Sequence, residues 1–524
     1  MTERPGATPG AATEQRELQR LARGGVGGML AAVVSGLGGL AFITIAARSS
    51  TTAEVGVVFT LTSLFLIAVL VVTLGSETGV IRFVALKQVQ APEHVAGVIT
   101  ATVLPVLAMA VAVSVGLWFA TPWLVGLTGF DAVPEVRLLV ALLPAGALSN
   151  LVLAGTRGLG TVRPTLVIDG LIRQGLQPVL ALVAALLSDD YFWLVAAWAA
   201  PWVVSAVLGS LAFRAACRRQ GLRGWTSPRS EATRAVAGEL WRFNAARSVT
   251  QIAQVGIRRA DIPLVTALAG ASAAAVYTAA SRFVASGLQA IKGTQQMVGP
   301  QIARLMAGDR PAEASLALRT ATTWNVLMAW PIYLTCASVP LLVLSLFGEG
   351  YENGSTVVVI LSLAMLVGIV AGPVDIALLM LGRAVLSLRN NLAALATNLV
   401  LNVLLIPLLG IEGAALAWAA SIVVGNALPT WQIRPTLGWA SDRHTGLAAA
   451  LAVGSFGLVP LAAQLLSGGS LLWESASLSV SVLLYAALLY RFRTPLRLRE
   501  LTSALLRRRG RRGRRTQAQA VPQP

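Results

Sequence analysis

Five basic side chains lie inside apolar stretches of this sequence, where charge is costly. They are Arg173, Arg258, Arg259, Arg282 and Lys292. An arginine at the centre of a membrane helix costs roughly 2.5–3.5 kcal/mol on insertion scales, so such residues face water, a partner or a ligand. Arginine binds phosphate oxygens through two parallel hydrogen bonds. These cations are therefore candidate residues for a functional site that faces water or a ligand.

Acidic residues stand close to two of these cations. Asp169 precedes Arg173 by four positions and Asp261 follows Arg258 by three, so the members of each pair share a helix face. Such acids are either halves of structural ion pairs or groups that bind a coupling ion. Asp375 is a third acid inside an apolar stretch and belongs to the same set of candidates.

A polar stripe begins at Arg282, which has no acid at helical spacing. Its members follow at intervals of 4, 3, 4 and 3: Arg282, Ser286, Gln289, Gly293 and Gln296. Lipid does not tolerate such a stripe, so it predicts the wall of a water-filled cavity, with a buried polar network as the alternative. The residues predicted to line that cavity are Arg259, Arg282, Lys292, Arg258, Arg173 and Gln289.

Apolar segments long enough to cross a bilayer, about 20 residues each, must position these residues. Fourteen lie at 25–48, 55–78, 95–120, 136–157, 162–187, 191–214, 243–267, 272–298, 317–347, 354–381, 387–409, 411–432, 445–467 and 471–490. They must be helices, because an open sheet cannot satisfy its backbone in lipid. The 524 residues are 56% hydrophobic and 12% charged. This composition predicts an all-α polytopic membrane protein and excludes a soluble enzyme.

Charge placement supports the count and predicts an orientation. With the N-terminus in the cytoplasm, 34 of the 41 Lys and Arg lie at cytoplasmic ends, and two, Arg48 and Arg137, lie outside. Because positive charge concentrates in cytoplasmic loops, we expect a multi-pass protein of the cell membrane with both termini inside. The Arg-rich tail at 491–524 is expected to contact anionic lipids and not nucleic acid, since no nucleic-acid-binding module accompanies it.

The sequence repeats itself at an offset near 218. VFTLTS at 58–63 resembles VYTAAS at 276–281, and AWAAPWVV at 197–204 resembles AWAASIVV at 417–424. Six spans per repeat give both halves the same orientation, with a substrate site between them. The predicted order is a cytoplasmic tail (1–24), an N-lobe (25–214), a basic linker (215–242), a C-lobe (243–432), two further helices (433–490) and the Arg-rich tail (491–524).

One segment carries the motifs of a known family. In GRAVLSLRNNLAALATNLVLNVLLIPLLGIEGAALAWAAS, the pattern N-x3-N-x4-P-x2-G-x2-G-A-A runs from Asn398 to Ala415. A second stretch combines Arg-Ala-Asp at 259–261 with VYTAA at 276–280, where Ala275 replaces the usual glycine. Both closely resemble the polysaccharide (O-antigen type) flippase family of the multidrug/oligosaccharidyl-lipid/polysaccharide (MOP) exporter superfamily.

This resemblance, over about residues 25–435, implies two six-helix lobes and an activity. The activity is transfer of polyprenyl-pyrophosphate-linked oligosaccharide from the inner to the outer leaflet by alternating access. It would supply the biosynthesis of cell-surface polysaccharide such as lipopolysaccharide, with polysaccharide assembly enzymes as possible partners. Taken from the residues alone, Asn398 and Asn402 have two interpretations, a contact across a helix interface or a contact to substrate.

Nothing in the sequence points to catalysis, a metal or a cofactor. It has no GxxxxGK[ST] loop for ATP. His94 and His444 lie at ends of spans outside any metal or triad arrangement, and Cys217 and Cys336 have no pairing pattern. We therefore expect no cofactor, and transport driven by an ion gradient, a voltage or the substrate's own gradient.

Three other functions stay open. A multidrug antiporter of the same superfamily would favour an acidic cavity; the cations argue against it, whereas Asp169, Asp261 and Asp375 keep it open. A lipid II flippase of the same superfamily would also use a cationic cavity. A non-transporting scaffold that recruits assembly enzymes through its arginine tail is an alternative from a different class.

Overall fold

The protein is helical throughout the part of the chain that its computed structural model describes. That part comprises residues 34–128, 132–222, 225–467, 471–494 and 496. Nine helices within it are long and apolar enough to cross a membrane, and a bent pair, Pro311–Ser338 with Pro340–Phe347, makes a tenth. The predicted all-α membrane fold is confirmed. The predicted tail at 1–24 and most of the tail at 491–524 lie outside the described residues.

The helices are numbered along the chain. The first nine are α1 (Val34–Ser49), α2 (Thr52–Thr73), α3 (Ser76–Gln90), α4 (Val95–Thr128), α5 (Val133–Gly158), α6 (Thr165–Leu187), α7 (Phe192–Arg219), α8 (Glu231–Arg259) and α9 (Asp261–Ala269). The others are α10 (Ala271–Ser286), α11 (Gln289–Ala307), α12 (Pro311–Ser338), α13 (Pro340–Leu344), α14 (Ser355–Val370), α15 (Val374–Met380), α16 (Ala384–Leu437), α17 (Arg443–Ala452), α18 (Val459–Ser467) and α19 (Leu471–Arg491).

Local sequence determines where individual helices begin and end. At the start of α2, the Glu54 backbone N–H donates to Thr51 Oγ1, and the Thr51 backbone N–H donates to the Glu54 carboxylate at 2.8 Å. This capping box satisfies two amides that the first turn leaves open. At its other end, α2 stops because Leu74 and Gly75 both adopt left-handed conformations, with φ of 46° and 71°.

Several predicted spans are helices that are interrupted within their length. The span at 243–267 covers the end of α8 and all of α9, which meet at Ala260. The span at 272–298 covers α10 and most of α11, which meet at a turn of residues 287–288. Gly410, with φ of 60°, divides α16 where two predicted spans meet. The count of fourteen is consistent with the structure, since each predicted span, where described, lies on one helix or a consecutive pair.

Contacts between connecting segments distinguish the two ends of the helix bundle. At one end, the Gly350 backbone approaches Thr52. At the other, Gln88 Nε2 donates to Gln220 Oε1 at 2.9 Å. The second end carries most of the Lys and Arg and is called the basic end; the first is called the opposite end. We call α1–α7 the N-lobe and α9–α16 the C-lobe; α8 contacts helices of both sets.

The described buried apolar side chains form a large shared core and a small cluster (Val57, Ala132 and Ala271) at the opposite end, and two separate cores at the basic end. The shared core joins helices of both lobes, for example Phe65 and Leu143 with Tyr277 and Leu361. A second core, built on α3, α4, α5, α7 and α8, belongs to the N-lobe. A third, built on α11, α12, α15 and the end of α16, belongs to the C-lobe. The lobes are therefore packed together at one end and stabilised separately at the other.

The last three helices pack against the outside of the C-lobe through α12. Tyr485 Oη donates to the Leu327 carbonyl at 2.8 Å, and its ring meets Phe456 edge-on at 5.4 Å between centroids. Thr323 and Thr445 share a hydrogen bond of 2.9 Å. These contacts place residues 443–491 beside the α12 side of the C-lobe.

Candidate functional site

Close backbone packing joins the two lobes at the opposite end. Helix α2 runs against α10 so tightly that a Cβ on Gly56 would lie 1.8 Å from the Ala271 carbonyl oxygen. The hydroxyls of Thr60 and Thr266 hydrogen-bond between α2 and α9. Arg48, at the end of α1, donates to the Ser345 and Leu346 carbonyls at 3.3 and 3.0 Å. These contacts hold the two lobes together at the opposite end.

At the basic end, α8 lies against the N-lobe, while the C-lobe helices α11, α12 and α15 pack on one another. A Cβ on Gly79 would lie 1.9 Å from Asn244 Oδ1, and Asn244 Nδ2 donates to Ser76 Oγ at 3.1 Å. Gln251 Nε2 donates to Thr78 Oγ1 at 3.2 Å. Among the described residues, α11, α12 and α15 make no extensive contact with the N-lobe. Within the described residues, these C-lobe helices therefore pack less closely against the N-lobe at the basic end than α9 and α10 do at the opposite end.

Arg282 lies on α10, the helix that packs against α2. It follows Ala271 by eleven residues, which places it about 16 Å from the opposite end at 1.5 Å per residue. Its side chain is half-buried, and it forms no hydrogen bond or ion pair within the described part of the chain. A cation at this depth, with no counter-charge among the described residues, is a candidate for binding an anionic ligand.

Asp261 lies where α8 gives way to α9, and it is buried. Its Oδ2 accepts a hydrogen bond from Tyr277 Oη at 2.7 Å, and its Oδ1 accepts the Ile262 backbone N–H at 2.9 Å. The Arg259 guanidinium adds a favourable electrostatic interaction. A carboxylate in the first turn of a helix is further stabilised by the helix dipole. This group fixes α9 against α10 and leaves the acid engaged.

The predicted Asp169–Arg173 ion pair is confirmed. Arg173 Nε lies 2.6 Å from Asp169 Oδ1, and its guanidinium carbon lies 4.1 Å from the centre of the Trp202 ring. Trp202 itself packs against Phe65 and Trp198. Both charged residues belong to a π-helical stretch, Thr165–Arg173, at the start of α6. Arg173 is 11% exposed, so the pair and the aromatic ring satisfy most of its surface.

The other candidates fall into two groups. Asp375 Oδ1 accepts a hydrogen bond from Ser387 Oγ at 2.6 Å, which ties α15 to α16 near the basic end. Among the described residues, no hydrogen bond or ion pair joins it to Arg173, Asp261 or Arg282. The side chains of Arg258, Gln289 and Lys292 lie outside the described residues, so their predicted places in a cavity stay predictions. The predicted stripe from Arg282 onward crosses the turn at 287–288 and does not lie on one regular helix.

The two motif asparagines are fully buried and contact each other. Asn402 Nδ2 donates to the Asn398 backbone carbonyl at 2.8 Å and to its Oδ1 at 3.1 Å. Both side chains are 0% exposed. These bonds lie within one helix, so a contact across a helix interface and a contact to substrate both stay open as interpretations.

Sequence reasoning missed two kinds of functional residue. Tyr277 belongs to a sequence motif, but its hydrogen bond to Asp261 joins residues that are sixteen positions apart on different helices. Spacing within one helix could not reveal this bond. Trp202 was seen as part of a repeat; its spacing of four from Trp198 could have indicated an aromatic face. The π-helical stretch of α6 had no sequence signal, although such bulges are frequent at functional sites.

The fold is similar to that of solved MOP-superfamily transporters. An inward-facing multidrug-resistance MATE family transporter of that superfamily is 14% identical, with 77% of this chain and 95% of that chain aligned and a TM-score of 0.63. The lipid II flippase MurJ in an inward closed conformation is 12% identical, covering 88% and 98%, with a TM-score of 0.67. A MOP-superfamily transporter from Pyrococcus furiosus, described as having a binding pocket of reverse polarity that suggests a different function, is 16% identical, covering 80% and 95%, with a TM-score of 0.57.

No protein-family model and no curated protein sequence matches the chain. At these identities the likeness defines a fold, that of a multi-pass membrane protein whose structural neighbours are transporters. The neighbours are MATE and MurJ proteins, so the superfamily expected from the motifs agrees with the fold. The narrower O-antigen flippase family is a proposal, argued below.

Proposed function

We propose that this protein flips a polyprenyl-pyrophosphate-linked oligosaccharide from the inner to the outer leaflet of the cell membrane. The observation that carries the proposal is Arg282: a half-buried cation, about midway along the membrane, on a helix of the interface between the lobes and without an acidic partner among the described residues. In a partly desolvated site, each hydrogen bond from such a cation to a phosphate oxygen contributes about 1.5–3 kcal/mol. This offsets part of the cost of drawing a charged headgroup into the membrane.

The separate cores at the basic end give the substrate a way in. The headgroup enters the space between the lobes beside α8, where Asn244 and Gln251 hold that helix to the N-lobe. It reaches Arg282 with the opposite end still closed by Gly56, Ala271 and the Thr60–Thr266 contact. The polyprenyl chain stays in lipid. Separation at the opposite end and closure at the basic end then release the headgroup on the other side.

The basic end is assigned to the cytoplasm because positive charge concentrates on that side of membrane proteins. Both termini and the linker at 215–242 are then cytoplasmic. The Arg-rich tail lies against the anionic lipids of the inner leaflet. An undecorated polyprenyl-pyrophosphate glycan made in the cytoplasm would meet the open side of the cavity first.

Lipid II flipping is the second candidate, supported by the fold of MurJ and by the same cation, since lipid II also carries a pyrophosphate. Multidrug antiport is disfavoured by the acids. Asp261 is engaged by Tyr277 and Asp169 by Arg173, so each already has a partner that a cationic drug would need to displace. A non-transporting scaffold does not require a cation at the depth of Arg282, where charge is costly.

Reconstitution into proteoliposomes tests the proposal. Three fluorescent substrates are compared at equal concentration: a polyprenyl-pyrophosphate oligosaccharide, lipid II and a lipophilic cation. We expect the oligosaccharide to exchange between leaflets fastest and the cation not to be transported. Preference for lipid II would establish the second candidate, and transport of the cation alone would overturn an anionic substrate.

A further inference from the structure

A groove on the outer, membrane-facing surface of the N-lobe lies away from the cavity between the lobes. It is formed where α4, α5 and α7 diverge and has a volume of about 340 Å³, within the roughly 300–1,000 Å³ usual for small-molecule sites. Its walls are Leu107, Pro144, Ala145, Leu148, Val203 and Val207 with neighbouring residues of α7. An apolar groove of this kind in a bilayer is filled by a hydrocarbon chain, because water has no partner there.

The groove has a direction, since its only charged wall lies at one end. Arg214 and Ser210 line the part of the groove nearest the basic end, whereas Val203 lies deepest on α7. From Val203 to Arg214 is eleven residues, or about 16 Å along the helix. That matches one leaflet, half of the roughly 30 Å hydrocarbon core. The groove therefore spans the leaflet at the basic end.

Arg214 is exposed and forms no hydrogen bond or ion pair within the described part of the chain. It lies five residues before Arg219, the last residue of α7, so its guanidinium reaches the headgroup level by extending along the helix. Arg218, one turn further on, is also exposed. The polar end of the groove is thus cationic, and its remaining length is apolar.

We infer that this groove binds one acidic glycerophospholipid of the leaflet at the basic end. One acyl chain lies along Val203, Val207 and Ala145, and the phosphate accepts hydrogen bonds from Arg214. Charge complementarity selects an acidic headgroup, because a zwitterionic lipid brings a second cation towards Arg214 and Arg218. The bound lipid fills a gap between three helices of the N-lobe. This site is distinct from the transport cavity and does not depend on the proposed function.

Native mass spectrometry of the purified full-length protein tests the site. The protein is titrated with dioleoyl phosphatidylglycerol or with dioleoyl phosphatidylcholine, which has the same chains. We expect one high-affinity phosphatidylglycerol adduct in the unaltered protein. Arg214→Gln should raise the dissociation constant for phosphatidylglycerol roughly tenfold, which corresponds to the loss of about one charge-assisted hydrogen bond. Ala145→Phe, which fills the groove, should abolish the adduct.

The matched control is Arg389→Gln. Arg389 is also exposed and lies five residues after Ala384, the first residue of its own helix α16, at the basic end. It does not line the groove. It should leave the adduct unchanged. If Ala145→Phe does not fold, Val207→Trp blocks the groove from its lipid side. Equal loss in the two arginine variants, an adduct that survives groove filling, equal binding of both lipids, or a protein dimer that disappears on groove filling would overturn the inference.

Discussion

At the scale of single residues, the two halves of the chain have different residue types at a pair of corresponding positions. Asp261 and Tyr277 hydrogen-bond between α9 and α10 at 2.7 Å. Subtracting the repeat offset of 218 gives Ile43 and Phe59, and Phe59 packs against Phe42 with ring centroids 6.5 Å apart. At the positions that correspond to the polar Asp261–Tyr277 pair of the C-lobe, the N-lobe therefore has two apolar residues. We therefore expect that, in this part of the repeat, charged groups that recognise a ligand lie on the C-lobe.

We predict that Tyr277→Phe lowers stability. It removes the hydrogen bond to Asp261 and leaves a buried carboxylate oxygen short of a donor, at a cost of about 1–3 kcal/mol. The control is Tyr333→Phe, because the Tyr333 hydroxyl is equally buried but has no hydrogen-bond partner in the described structure. Thermal unfolding in detergent should show a lower Tm for the first variant and an unchanged or higher Tm for the second. Equal effects would mean that the Asp261 bond carries no stability.

The flipping rates of Arg282 variants should depend on the charge and the hydrogen-bonding geometry of the side chain. Arg282→Ala should slow flipping roughly 10- to 100-fold, the equivalent of one charge-assisted hydrogen bond. Arg282→Lys should be intermediate, because the charge survives and the two-pronged hydrogen bonding does not. Arg137→Ala is the control, since Arg137 is half-buried but stacks on Trp118 in the N-lobe. A folded Arg282→Ala protein that flips at the normal rate would remove the main support for an anionic substrate.

Residue spacing predicted the Asp169–Arg173 pair because both members lie one turn apart on the same helix. It did not predict the partner of Asp261. Tyr277 reaches the acid from another helix, whereas the Arg258 side chain lies outside the described residues, so its i,i+3 pairing with Asp261 stays a prediction. Contacts within one turn can be read from a sequence. Contacts that depend on how helices pack cannot.

At the scale of elements, the apolar segments of the sequence predicted the positions of the helices well and the breaks within them poorly. Hydropathy reports the length of chain that lies in lipid, and it is insensitive to a single turn such as the one at residues 287–288. Proline was no guide, since Pro105, Pro122 and Pro144 lie inside continuous helices. The turn coincides with a close approach, where a Cβ on Gly287 would lie 2.8 Å from the Tyr333 ring.

Gly56 is the position at which the packing of α2 on α10 can be tested. Gly56→Ala places a methyl group against the Ala271 carbonyl, and overpacking of this kind costs about 1–3 kcal/mol. We expect a lower Tm and faster labelling of a cysteine introduced at the opposite end. Gly116→Ala is the matched control: Gly116 is exposed within α4 with open space at its Cβ, so alanine should be neutral or stabilise by up to about 1 kcal/mol. No difference between the two variants would contradict the close seam.

At the scale of the whole molecule, charge in the sequence predicts the orientation, and the arrangement of the cores reveals the conformation. The alternation of basic and acidic ends follows from the chain alone. The shared core at the opposite end and the two cores at the basic end could not be foreseen, because hydropathy indicates which segments are apolar and not which helices pack together. The predicted domain boundaries stay predictions.

Orientation is tested by labelling in sealed cells. Asp189→Cys, at the opposite end, should react with a membrane-impermeant thiol reagent, whereas Arg229→Cys, at the basic end, should react only after the cells are opened. Both positions are exposed, and the native Cys217 and Cys336 are buried, so background labelling is low. Labelling of Arg229→Cys in sealed cells would reverse the assignment of the basic end to the cytoplasm.

The central claim is that the lobes must separate at the opposite end for a headgroup to cross. The Thr60 and Thr266 hydroxyls touch between α2 and α9, so the double variant Thr60→Cys with Thr266→Cys places two thiols within reach of a disulfide. Flipping of the lipid-linked oligosaccharide is measured in proteoliposomes before oxidation, after oxidation and after reduction, with each single variant as control. We predict that oxidation stops flipping while binding from the basic side persists, and that reduction restores flipping. Flipping at an unchanged rate by fully oxidised protein would contradict the account.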